Sequence, residues 1–131
     1  MRVKRPDAKN ALSLVQAAKK KMDFTLSLSL TEESASTIAG NIYECFRMLG
    51  DAVFVSMGIQ QTDHKEAIEE LVKLDVQTKR PLQVIKNLRF LRHNINYYGY
   101  EPKLEEVRDA IDIAKTCFPA LHDVLLEKLG S

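Results

Sequence analysis

The sequence predicts an all-α protein, an up-and-down bundle of four long helices plus one short helix, in a single domain covering 1–131. Three observations carry this expectation. Apolar residues recur at spacings of three and four through five separate stretches. Capping residues, Gly and Pro mostly punctuate those stretches rather than interrupt them. No pair of strand patterns and no internal repeat is visible, and 45% hydrophobic with 28% charged residues is an ordinary globular balance.

From Asp7 to about Leu28, the residues Ala8, Ala11, Leu12, Val15, Ala18, Met22 and Leu26 follow the helical repeat and predict a first helix. Its end is ambiguous: Phe24, Leu26, Leu28 and Leu30 alternate with Thr25, Ser27 and Ser29, the period of a half-buried strand. A lone strand has no sheet to join, so helix is the preferred reading of 24–30. Thr31 then offers a capping hydroxyl, and Glu32 and Glu33 suit the positive end of a helix dipole. In the second helix Ile38, Ala39, Ile42, Cys45, Phe46, Leu49, Ala52 and Val53 cover a wide arc, leaving Glu44, Arg47 and Asp51 as a narrow charged stripe. Such a helix is expected at the centre of the bundle, stopping at Gly58. Asp63 with Glu66 makes a capping box ahead of Ile68, Leu71, Val72 and Leu74, a short third helix. Pro81 fits the first turn of a fourth, whose Val84, Leu88, Leu91, Ile95 and Tyr98 form one packing stripe, ended by Gly99 and Pro102. The last helix opens near Pro102 and presents Leu104, Val107, Ile111, Ala114, Phe118, Leu121, Leu125 and Leu129. Pro119 is expected to kink or interrupt it.

A net charge of +1 gives the chain no overall field for nucleic acid, so any such binding must come from a local patch. Cys45 and Cys117 sit in apolar helical patterns without a CxxC pair or histidines at ligand spacing, which predicts buried free thiols. A reducing, cytoplasmic location follows, supported by the lack of a hydrophobic leader pattern at Met1 to Arg5. No apolar run reaches bilayer length, so no membrane partner is expected. No metal-ligand spacing, Gly-rich phosphate loop or nucleophile elbow is present, and no cofactor is expected. Lys19, Lys20 and Lys21 read as a wet helix face, His64 as a first-turn surface residue, and His122 stands alone in the last helix.

The chemically unusual stretch is Arg89 to Tyr100, at the end of the fourth helix. At 100° per residue, Arg89, Arg92, His93, Asn96 and Tyr100 spread along the side and back of the helix, away from the packing stripe, with Tyr97 further round. An ordinary solvated face holds Lys, Glu and Gln. Here guanidinium, imidazole, amide and phenol groups gather instead, suited to phosphates and bases or to an interface. The plainer alternative is that the tyrosines pack between helices and Arg92 pairs with an acid such as Glu44.

The Arg-polar dipeptide Arg92-His93 near the end of the third long helix, followed by Gly99-Tyr100, resembles the HEPN superfamily (higher eukaryotes and prokaryotes nucleotide-binding domain). Ile42, Tyr43, Glu44, Phe46 and Arg47, then Gly58, His64 and Leu71, are similar to archaeal and bacterial members, and the resemblance runs from Ala8 to Leu129. It implies a helical bundle that dimerises through its motif helices, so that two Arg-centred sites face one cleft. It also implies a family in which many members are metal-independent endoribonucleases, often toxins of toxin-antitoxin pairs encoded with a nucleotidyltransferase-type partner. Arg92 matches the family arginine and His93 its polar neighbour. The family histidine, four to six residues on, falls on Tyr97 or Tyr98, a departure from the catalytic pattern. A phenol titrates near 10, which makes it a poor general base at neutral pH. The motif is therefore degenerate.

Three readings follow. The first is a homodimeric nucleotide- or RNA-binding domain with weakened or no catalysis, its ligand held by Arg89, Arg92, Asn96, Tyr98 and Tyr100 with support from Glu44 and Arg47. The second is a metal-independent endoribonuclease in which Arg92, His93 and Tyr97 act on the phosphate and protons. The third is a structural module in which Arg and Tyr residues cement a dimer or dock a partner.

Overall fold

The computed structural model describes residues 2–3, 6–60 and 64–130, with side chains over 6–59 and 66–130. Its helices are α1 (Ala8–Ser27), α2 (Ala35–Ser56), α3 (His64–Leu71), α4 (Ile85–Tyr98) and α5 (Leu104–Gly130). The fold is all-α, as the periodicity requires, with one small departure. Two-residue strands β1 (Arg2–Val3) and β2 (Ile59–Gln60) pair antiparallel, Arg2 opposite Gln60 and Val3 opposite Ile59, where the sequence showed no strand pair. So short a ladder leaves no alternation to read.

α1 starts with Asp7 accepting from the Asn10 backbone N–H at 2.9 Å, a cap that satisfies one of the free donors of the first turn. It persists to Ser27, which resolves the ambiguity of 24–30 in favour of helix, with Leu28 extended as its C-cap. Thr25 is fully buried and returns its hydroxyl to the Lys21 carbonyl at 2.8 Å, while Phe24 is 63% exposed. A strand would have set these two the other way round. Entry to α2 uses a reciprocal cap. The Ser34 N–H donates to Thr31 Oγ1 (3.1 Å) and the Thr31 N–H to Ser34 Oγ (2.9 Å), with Ser34 in the role usually held by Glu or Gln. Thr31 thus caps the tight turn that leads in, while the regular α-helix starts later than expected, at Ala35, with Ser34 as its N-cap and no side-chain cap bond. The capping box expected at Asp63 lies outside the described residues.

α2 is the hub, in contact with every other helix. Ile38, Ile42, Phe46 and Leu49 are fully buried and meet Val15 and Met22 of α1, Ile68 and Leu71 of α3, Ile85 of α4, and Val107, Ile113 and Leu121 of α5 in one core. Phe46 sets its ring edge-on to Phe118, with centroids 5.6 Å apart. The Asp7 N–H reaches the Val55 carbonyl at 3.2 Å, so the start of α1 lies beside the end of α2 and the two run antiparallel. The starts of α2 and α5 share one cleft, lined by Glu32, Glu33 and Ser36 with Glu101 to Leu104, which sets α5 alongside α2. Arg80 fastens the segment before α4 to α5 by bonds to Asp109 (2.7 Å) and Asp112 (3.0 Å). α5 continues unbroken across Pro119, where an interruption was one expectation. The proline ring does remove the N–H that would have bonded the Lys115 carbonyl.

Candidate functional site

The site begins with how α4 is held. Pro81 leads a single 3-10 turn (Leu82–Val84) into α4, and only the first half of the helix is well covered: Ile85 and Leu88 are buried, Leu91 and Ile95 half-buried. Tyr98, expected to complete the packing stripe, is 74% exposed. It lies one full heptad beyond Leu91, at the last residue of α4. Gly99 then takes the left-handed conformation (φ 62°), and the Gly99 and Tyr100 N–H groups both return to the Asn94 carbonyl, closing the helix as glycine at that position allows.

The candidate residues separate into an inner and an outer group. On the inner side, the Arg92 guanidinium lies over the ring of Tyr43 of α2, 5.3 Å from its centroid. Tyr43 is 2% exposed. Burial pushes its hydroxyl above the ordinary phenol value, against the pull of the Arg92, Arg47 and Arg89 charges. Beside it, Arg47 bridges Glu44 and Asp51, so the narrow charged stripe of α2 is a part-buried ion network. Burial raises the Glu44 carboxyl, but the Arg47 hydrogen bond and the Arg47 and Arg92 charges outweigh it and hold the group below its ordinary range. Arg92 makes no ion pair with Glu44; it acts on that carboxylate only at longer range. Arg89 lies over Phe90 at 5.1 Å, and its Nη1 is buried without a hydrogen-bond partner among the described residues. The inner group thus sets three guanidiniums against two carboxylates.

On the outer side, His93 is exposed and contacts Tyr97 (centroids 4.6 Å) and Tyr98 edge-on (5.7 Å). Tyr97 is 75% and Phe90 58% exposed, so the back of α4 carries an aromatic surface directed away from the core. Asn96 is exposed beside it. Tyr100 stands apart: its hydroxyl donates to Glu106 of α5, which also accepts from the Lys103 N–H at 2.9 Å, so it secures the turn between helices. That bond raises the Tyr100 hydroxyl and lowers the Glu106 carboxyl.

Sequence reasoning did not single out Tyr43 as a site residue. The signal was its phenol next to Ile42 within the apolar arc of α2, where a buried hydroxyl wants a polar neighbour. Chemically, the inner group offers guanidinium donors for an anion, and the outer group offers ring faces for stacking. Arg92 and His93 point to different groups, as adjacent helical residues must.

Both cysteines are buried and free. No described helix is long and apolar enough to cross a membrane. Compared with known proteins, the chain matches no family model, no curated protein and no solved structure.

Proposed function

We propose that this chain is an HEPN-like homodimeric module that binds a nucleotide or single-stranded RNA along α4, with catalysis weakened or lost. The observation that carries this reading is the end of α4. There an arginine rests on a buried tyrosine with no hydrogen bond or ion pair among the described residues, beside exposed Phe90, Tyr97 and Tyr98. A guanidinium preset by a ring retains its planar fork for phosphate oxygens, and exposed aromatic rings stack on bases of any sequence. The same exposed rings are the residue types that centre protein interfaces, which favours a second copy across the α4 face. A reducing cytoplasm suits two free thiols, and a nucleotidyltransferase-type protein is the partner the resemblance adds.

The test is fluorescence anisotropy of labelled mixed-sequence single-stranded RNA in EDTA, with a gel of the same samples and sedimentation to read oligomeric state. Binding should weaken steeply between about 50 and 200 mM salt and fall about tenfold in Arg92→Ala, with the RNA intact. Intact affinity in Arg92→Ala, or no retention by the natural protein, sinks the proposal. Chelator-resistant cleavage lost in Arg92→Ala would make the protein a ribonuclease.

A further inference from the structure

The charges of the α4 site do not stop at α4. Glu44 of α2 lies within reach of Arg92 of α4 and also of Lys21 of α1, whose charge acts on Cys45 as well. The backbone register agrees. The Asp7 N–H meets the Val55 carbonyl, where the antiparallel pair of α1 and α2 begins. Lys21 is fourteen residues on from Asp7 and Asn41 fourteen back from Val55, so Lys21 stands level with Asn41, one turn from Glu44. Gly40, four residues before Glu44 and on the same side of α2, has open space where a Cβ would stand, with nothing within 4 Å. α1 and α4 therefore flank an uncovered strip of α2, with a cation on each bank.

On its outer surface α1 carries a ring that packing does not explain. Phe24 is 63% exposed, while Met22 and Thr25 are buried. It lies three residues after Lys21 and four after Lys20, so the three side chains share one face of the helix. The run Lys19 to Lys21 thus divides. Lys19 is paired with Asp23 at 2.6 Å and faces the α5 side. Lys20 and Lys21 have no ion pair among the described residues. Across the strip, Arg47 is matched by Glu44 and Asp51, whereas Arg92 rests on a ring. The charge left over is positive, and it runs from α4 to α1.

We propose that α1 forms the second half of the α4 site, and that the ligand is a single-stranded RNA of several nucleotides that crosses α2, with one phosphate on Arg92, the next on Lys21 and Lys20, and a base on Phe24. This rests on the α4 reading and narrows it to an oligonucleotide. Both α1 and α4 pack on α2, and packed helix axes lie about 8–10 Å apart. A free nucleotide has one base, which cannot stack on rings of both helices at once. Lysine suits the outer contacts, because a point charge on a flexible stem follows the backbone, while the Phe24 ring accepts any base.

The test is fluorescence anisotropy with a labelled single-stranded RNA of about twelve nucleotides and a fluorescent analogue of AMP as the short probe. The RNA should bind at least about tenfold more tightly than the AMP analogue. Lys21→Gln should weaken the RNA about fivefold and reduce the slope of its salt dependence by about one. Phe24→Ala should weaken it about tenfold, and Lys19→Gln, an equal loss of charge on another face, by less than about twofold. Neither Lys21→Gln nor Phe24→Ala should alter binding of the AMP analogue. RNA affinity that falls in Arg92→Ala but is unaltered in Lys21→Gln and Phe24→Ala overturns the α1 contacts and leaves the α4 reading in place. Equal losses in Lys19→Gln and Lys21→Gln, or AMP held as tightly as the RNA, overturn them as well. RNA affinity that falls in the α1 variants and not in Arg92→Ala, or no RNA retained by the natural protein, overturns both.

Discussion

Replacing Gly50 by alanine sets two helix effects against each other at one position. In an exposed helix interior the change would stabilise by about 1 kcal/mol, because glycine gives up more backbone freedom. Gly50 is not in such a place. A Cβ there would sit 2.6 Å from the Ala67 carbonyl carbon and 3.0 Å from its Cα, and closer still to the carbonyl oxygen. These are backbone atoms of α3, which no side-chain rotation can move aside, so α3 must withdraw by about an ångström to restore contact distance. Ala67, Ile68 and Leu71, all fully buried, would lose close packing on α2 as it does so. A gap of that width forfeits a quarter to a half of the dispersion energy of each facing contact, and overpacking typically costs about 1–3 kcal/mol. Taking about 3 for a backbone clash and subtracting about 1 for propensity leaves a net loss near 2 kcal/mol. At roughly 3 °C per kcal/mol for a chain of this size, Tm should fall by about 6 °C. Gly40 supplies the control on the same helix: a Cβ there meets nothing within 4 Å, so Gly40→Ala should raise Tm by roughly 3 °C. Thermal unfolding followed by far-ultraviolet circular dichroism reads both. A Gly50→Ala protein as stable as the natural one, or more so, would refute the close approach of α2 and α3.

Two further predictions concern groups whose protonation the fold alters. Burial pushes the Cys45 thiol up to about 12 and raises Cys117 as well, so neither should react with a thiol-disulfide reagent at pH 8 in the native protein. Both should react at once in denaturant; rapid labelling of either before unfolding would contradict the burial. Glu44 is held below its ordinary value of 4.5, so the unfolded chain binds its proton more tightly than the folded one. The stabilisation is complete above that unfolded value and is lost as pH falls through the lower, folded one. Glu44→Gln should cost about 1–2 kcal/mol at neutral pH by leaving Arg47 with one acid fewer, and should flatten the loss of stability below pH 4.5. Urea titrations at several pH values check this, and an acid limb as steep in the variant as in the natural protein would remove Glu44 from its cause.

What the sequence determined by itself were the helices. Their number, their order and the stop of α4 at Gly99 follow from apolar spacing and from local caps, and these forces act within a few residues of one another. The buried thiols were legible for the same reason, because each lay within an apolar stripe. Tertiary structure alone decided which stripes found a partner. Tyr98 continues the α4 pattern and is exposed, because the pattern records a helical face and not whether another helix covers it. Glu44, Arg47 and Asp51 read only as a narrow charged stripe; that they close on each other in a part-buried network was not legible, since a helix face becomes buried only when another helix lies across it. Tyr100, read from the sequence as a ligand-binding residue, has its hydroxyl bonded to Glu106, a link between α4 and α5 that spacing along the chain does not reveal. The pairing of Arg92 with Tyr43, 49 residues earlier in the chain, and the approach of Lys21 to Glu44 have no sequence signature. Each depends on the distance between two helices, and that distance is set by the packing of the whole core rather than by neighbours along the chain.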